Sequence, residues 1–142
     1  MVALRPAAGD CQVGYKVGCT GPGVVQQFGM EGPIRGCLFE GEVREHRCTV
    51  MGDEFANLAI EGEMAAQIGA NGTIAAVFPV IRLHHFVFRG VRKTLPEIVA
   101  NNGLNGGFVL PNGDWLLSQD YVERRGELSV LINDRLVASG EL

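Results

Sequence analysis

Apolar and polar residues alternate with a period of two along much of this chain, a pattern that predicts strands rather than long helices. In Cys11-Gln12-Val13-Gly14-Tyr15-Lys16-Val17-Gly18 the alternation sets Val13, Tyr15 and Val17 on one face and Lys16 on the other. Taken alone Lys16 is a solvent-facing lysine, but the glycines flanking it point to something packed closely against the strand. Residues 55–68 contain a second strand. Its segment Ala59-Ile60-Glu61-Gly62-Glu63-Met64-Ala65 turns Glu61 and Glu63 to one side and Ile60, Gly62 and Met64 to the other. Asn71-Gly72 signals a hairpin turn. Residues 73–78 read as either helix or strand, and Pro79 is expected to interrupt them. Residues 80–88, rich in β-branched and aromatic side chains, read as a strand with Arg82 and His84 on one face and Leu83 and His85 on the other.

The helical signals are short. Thr20 or Gly21 opens a helix over roughly residues 24–28 that stops at Gly29, and the Gly- and Pro-rich loop after it delivers Glu31 and Arg35. Cys37 starts a strand, and residues 40–47 look like a solvated edge or hairpin with His46 exposed. Thr94 as N-cap, Pro96 in the first turn and Glu97 at the capping-box position predict a helix over residues 94–101, ending at Asn102-Gly103. Residues 106–111 form a buried strand whose leading Gly106 and Gly107 would let backbone approach a bound group; Asn112-Gly113-Asp114 then turns the chain. Residues 127–132 and 136–139 flank Asn133-Asp134 as a last hairpin. Residues 1–10 lack periodicity and are expected to be flexible, leaving 11–142 as a single domain.

Composition narrows the function classes. The 46% hydrophobic and 20% charged content is that of a globular chain, and twenty glycines favour many turns and a β-rich fold over a helical bundle. A net charge of −4, with Arg44, Arg47, Arg89, Arg92 and Lys93 dispersed among acids, argues against nucleic acid as partner. No apolar run would span a bilayer and no charged-then-apolar leader is visible, so the expectation is a cytoplasmic chain without membrane contact. Cys11, Cys19, Cys37 and Cys48 form no C-x-x-C pair, which fits free thiols in a reducing compartment better than a zinc knuckle.

The candidate chemistry centres on Glu61 and Glu63. Two carboxylates side by side repel and need a shared proton, a basic partner or a hard cation. On spacing alone the simpler alternative is that both lie on the wet face of a half-exposed strand.

Several segments, in order, resemble the fumarylacetoacetate hydrolase superfamily, and within it the 2-keto-4-pentenoate hydratase and 4-oxalocrotonate decarboxylase branch. They are Gly14-Tyr15-Lys16-Val17-Gly18-Cys19-Thr20, the loop Phe28-Gly29-Met30-Glu31-Gly32-Pro33-Ile34-Arg35-Gly36, Glu61-Gly62-Glu63, Pro79-Val80-Ile81-Arg82-Leu83-His84, and Ile98-Val99-Ala100-Asn101-Asn102 leading to Gly106-Gly107-Phe108-Val109-Leu110. The resemblance implies a β-rich α+β fold, a mixed β-sheet roll with short helices. It further implies Mg2+ or Mn2+ held by Glu61, Glu63 and a later acid, chelating a short 2-keto acid of aromatic catabolism and stabilising its enolate. Lys16 and Glu31 would then carry protons, while Arg35, His84, Asn102, Gly106 and Gly107 would line the substrate side.

This chain departs from that pattern at the third ligand. Where relatives place the later glutamate it has Arg82, whose guanidinium could neutralise Glu61 and Glu63 without a metal. Asn101 stands where many relatives have aspartate. Relatives also carry a helical segment before the Gly-Tyr-Lys strand and further strands after the last hairpin, so the sheet is expected to be incomplete, with a homodimer or higher homo-oligomer covering its edges. Two readings follow: a metal-dependent hydratase, decarboxylase or hydrolase, or a catalytically silent relative in which Arg82 locks the acidic pair and leaves a small-molecule-binding or dimeric scaffold.

Overall fold

A computed structural model describes residues 4–88, 90, 93–113 and 126–141. Among them are eight strands: β1 (Gln12–Gly18), β2 (Ile34–Phe39), β3 (Val43–Arg44), β4 (Leu58–Ile68), β5 (Ile74–His85), β6 (Asn105–Val109), β7 (Glu127–Ile132) and β8 (Arg135–Glu141). Three short helices join them, α1 (Leu4–Ala7), α2 (Pro22–Phe28) and α3 (Leu95–Ala100). β1 and β2 form an antiparallel pair, β3, β6, β5 and β4 lie in that order in a four-stranded sheet, and β7 pairs antiparallel with β8. The strand-rich character with short helices is the one the glycine count and the period of two predict.

The caps follow from local chemistry. α2 starts on Gly21 and ends on Gly29, whose left-handed φ of 60° lets its N–H return to the carbonyls of Val25 and Gln26. α3 begins on Thr94, where the Glu97 carboxylate accepts from both the Thr94 N–H and its hydroxyl at 2.8 and 2.7 Å. β4 and β5 are joined by a turn in which the Gly69 N–H donates to the Thr73 carbonyl, with Gly72 at φ 79°. In the β7–β8 turn Asn133 and Asp134 both take positive φ, the geometry that matches strand twist in a two-residue loop.

One expectation is corrected. Pro79 does not interrupt its segment: β5 runs unbroken from Ile74 to His85. The proline ring fixes φ in a range an extended strand accepts and removes only one donor, so a long strand of β-branched and aromatic residues absorbs it. Along β1 the alternation holds, and the covered face is that of Lys16, where the flanking glycines pointed to close packing. Val13, Tyr15 and Val17 are more than half exposed, whereas Lys16 is only 6% exposed. The lysine stem lies across Gly36, its partner in the β1–β2 register, where a Cβ would sit 2.9 Å from Lys16 Cγ. The Asp114 end of the predicted 112–114 turn lies outside the described residues.

The chain clusters into two compact units. The first comprises Met1–Val43, Val50–Ala59 and His84–Gly107, with Phe39, Phe55, Ile98 and Leu104 buried in it. In it Arg5, on α1, pairs with Asp10 and with the buried Glu42, each at 3.0 Å, and lies over the Phe39 ring. The Glu42 carboxylate also accepts from the Phe39 N–H and from Asn105, and burial raises its pKa ahead of these stabilising contacts. The second unit comprises Arg44–Thr49, Ile60–Leu83 and Phe108–Leu142, and its buried apolar side chains include Ala76, Val77, Val80 and Leu83.

Candidate functional site

Within the second unit, β4 and β5 bring Glu61, Glu63 and Arg82 together. Arg82 Nη1 lies 2.7 Å from Glu63 Oε1 and 3.8 Å from Glu61 Oε2, so one guanidinium nitrogen serves both acids. Gly62, between the two acids in sequence, permits close packing on β7: a Cβ there would meet Val130 Cγ2 at 2.7 Å and Leu128 at 3.5 Å. The arginine side chain is 8% exposed against 33% for Glu63 and 54% for Glu61, so a buried cation looks out through progressively wetter acids. Burial first, then the charge of Glu61 and a hydrogen bond with it, push the Glu63 carboxyl up to about 7. The guanidinium is itself lowered by burial to about 10.

This donor set does not fit a divalent cation. A hard cation needs several oxygens around it, and the position of a third acid is held by a guanidinium at hydrogen-bond distance from Glu63. No group of three or more His, Cys, Asp or Glu able to hold a metal occurs among the described residues.

Within the first unit a second cluster forms around Lys16. Its ammonium donates to the Gly103 carbonyl at 2.6 Å. That carbonyl belongs to a turn of three successive left-handed residues after α3, Asn102 (φ 54°), Gly103 (φ 65°) and Leu104 (φ 62°). For the bulky Leu104 this conformation is strained, and it persists because the side chain is buried. The Asn102 carboxamide grips the β2 backbone at Cys37 twice, Oδ1 accepting from the N–H at 2.8 Å and Nδ2 donating to the carbonyl at 2.7 Å. Gly36 completes the cluster, since a Cβ there would lie 2.7 Å from Asn102 Oδ1.

The other sequence-derived candidates are placed as follows. Glu31 is exposed in the loop between α2 and β2. Arg35 is exposed on β2 and lies over the Tyr15 ring at 5.0 Å. His84 is buried on β5 and stacks on Phe86 at 5.6 Å. Gly106 is on β6, and Gly107 is buried at φ 119° where a Cβ would strike the Glu42 carbonyl at 2.6 Å, so its freedom serves close backbone packing. Sequence reasoning missed the double grip of Asn102 on Cys37. The Asn-Gly step after a capped helix signals a left-handed turn but does not reveal which strand the amide reaches.

No protein-family model matches the chain, and no curated protein matches it by sequence. Solved structures do. 4-Oxalocrotonate decarboxylase from Pseudomonas putida G7, complexed with magnesium and adipate, superposes with a TM-score of 0.85 at 22% identity over 99% of this chain. The same enzyme complexed with calcium and acetate gives a TM-score of 0.83 at 22% identity over the same share. In both cases this chain spans 57% of the length of the decarboxylase chain. The superposition shows that the chain has the fold of 4-oxalocrotonate decarboxylase over that part of the enzyme's length.

Proposed function

We propose that this chain is a lyase-type protein, of the hydratase and decarboxylase kind in the fumarylacetoacetate hydrolase superfamily, acting on a short 2-keto acid. The observation that carries the reading is Lys16, a buried lysine whose ammonium is fixed on a backbone carbonyl in a fold shared with a decarboxylase. A 2-keto acid forms its enolate by giving up a proton from the carbon beside the carbonyl. A lysine amine can take that proton, and its ammonium can return one to carbon. Glu31, on the loop before β2, is the proposed second proton carrier, and Arg35, His84, Gly106 and Gly107 are the proposed substrate-side residues, while the Asn102 carboxamide is engaged on Cys37. Glu61 and Glu63 act as a pair neutralised by Arg82, so no step passes through a metal. Free Cys11, Cys19, Cys37 and Cys48 accord with a reducing cytoplasm, and the exposed Val13, Tyr15 and Val17 accord with a homodimer.

The test is calorimetric titration with magnesium and manganese, with and without pyruvate, beside NMR measurement of deuterium exchange into the pyruvate methyl group. Exchange without added metal supports the reading. Binding of metal strengthened by pyruvate would restore Glu61 and Glu63 as ligands. A second reading, a scaffold without turnover, rests on the Arg82 contact to Glu63, and it takes over if pyruvate neither binds nor exchanges.

A further inference from the structure

Lys16 is held by a structure that is costly to build. Three consecutive residues adopt the left-handed conformation, two of them not glycine. Such a turn survives where its surroundings over-determine it, and here two contacts do so. Asn102 is bonded to β2 through both ends of its carboxamide, supplying the donor and acceptor that a neighbouring strand residue would offer Cys37. The Gly103 carbonyl, carried by the same turn, accepts from Lys16 at 2.6 Å. The two grips act on adjacent strands of one antiparallel pair, since Lys16 faces Gly36 in register and Tyr15 faces Cys37. Fixing the turn on β2 therefore fixes the acceptor over β1. Glycine at 36 and at 103 keeps the route open: a Cβ at 36 would strike Asn102 and the Lys16 stem, and one at 103 would lie 2.7 Å from Lys16 Nζ.

We propose that Asn102 is a positioning residue for Lys16. Its carboxamide locks the 102–104 turn so that the Gly103 carbonyl occupies one of the three ammonium N–H groups and aims the remaining two. The role rests on the proposed use of Lys16 as a proton carrier, but the positioning itself is a physical property that can be read without any substrate. No other residue type supplies a neutral donor and acceptor at that length. Aspartate would present an anionic oxygen to the Cys37 carbonyl, and glycine would keep the left-handed backbone while removing the grip.

The sequence contains two lysines, Lys16 and Lys93, so the side-chain ammonium NMR spectrum of the 15N-labelled chain carries one signal of interest and one internal reference. In the unaltered chain the Lys16 ammonium is expected to exchange with water at least about tenfold more slowly than Lys93, the protection of one charged hydrogen bond in a buried setting. In Asn102→Gly and Asn102→Asp that protection is lost while the amide signals of β1 and β2 persist. Protection that survives in either folded variant overturns the proposal, as does a Lys16 signal in the unaltered chain no slower than Lys93. If Asn102→Asp does not fold, Asn102→Gly decides; if neither folds, unchanged Lys16 protection in Leu104→Gly, which relaxes the turn without touching the carboxamide, supports the grip and its loss overturns it. Deuterium exchange into pyruvate separates the two levels. A fall in kcat with KM unchanged in Asn102→Gly ties the positioning to chemistry. Loss of Lys16 protection in that variant, with no exchange by the unaltered chain, keeps the positioning and removes the functional reading beneath it.

Discussion

Among the described residues two buried cations, Arg82 and Lys16, are stabilised by opposite means. Arg82 is matched by charge: its guanidinium meets two carboxylates, one at hydrogen-bond distance, in a setting that opens to solvent through Glu61. Lys16 is matched by geometry: its ammonium meets a neutral carbonyl at 2.6 Å, delivered by a strained turn and given room by glycines. A charge match tolerates small displacements, because Coulomb attraction falls slowly with distance. A geometric match does not, because a hydrogen bond weakens steeply once misaligned. The contrast suits their proposed parts, a static neutraliser in one unit and a poised proton carrier in the other.

The sharpest way to break the comparison is to crowd the geometric site. Gly36→Ala places a methyl within 3.1 Å of two atoms of Asn102 and of the Lys16 stem, and is expected to cost about 3 kcal/mol in urea unfolding, at the upper end of overpacking. The next test attacks the charge match. Arg82→Glu sets a third acid against Glu61 and Glu63, lowering Tm in chelator; millimolar magnesium should then restore it, with a gain of about 2.7 kcal/mol when the ion stands a hundredfold above its Kd. The unaltered chain should show no such response. A smaller effect is the pH dependence of the acidic pair. Because Glu63 has a folded value of about 7, above its ordinary 4.5, folding favours its protonated form. Its contribution is full below about pH 4.5 and is lost as pH rises through 7, so Tm followed from pH 4.5 to 8 should fall, and Glu63→Gln should flatten that slope. The smallest is a control. Thr94→Ala removes the cap of α3 and should cost about 1 kcal/mol while leaving the Lys16 ammonium signal and the Glu63 titration in place.

The sequence made the strands and caps legible because both are written locally, in a period of two and in residues such as Thr94, Glu97, Gly29 and Asn133-Asp134. It also showed Arg82 standing where an acid was expected, since that is a matter of residue type alone. Periodicity separates the two faces of β1 but does not say which is covered. That depends on what packs there, and the segment that covers Lys16 lies 87 positions away at Gly103. Pro79 misled for a related reason: a proline breaks a strand only where its missing N–H matters, and that is decided by neighbours. The Asn102 grip was illegible because a side-chain hydrogen bond to a strand 65 positions distant leaves no mark on spacing.

The doubly bonded carboxamide also bears on chemical ageing. Asn-Gly steps are the usual sites of spontaneous deamidation, which needs the following backbone nitrogen to attack a mobile side chain. Asn71-Gly72 is exposed in the β4–β5 turn, where the Asn71 carboxamide oxygen accepts from the Thr73 N–H at 3.1 Å and from its hydroxyl at 2.8 Å, so that side chain is held through its oxygen within its own turn. Asn102-Gly103 has the same two residues but a carboxamide held at both ends. Stored protein should therefore accumulate isoaspartate faster at Asn71, in the exposed hairpin turn, than at Asn102. The clasp at 102 acts as a preservative for the residue whose loss would matter most.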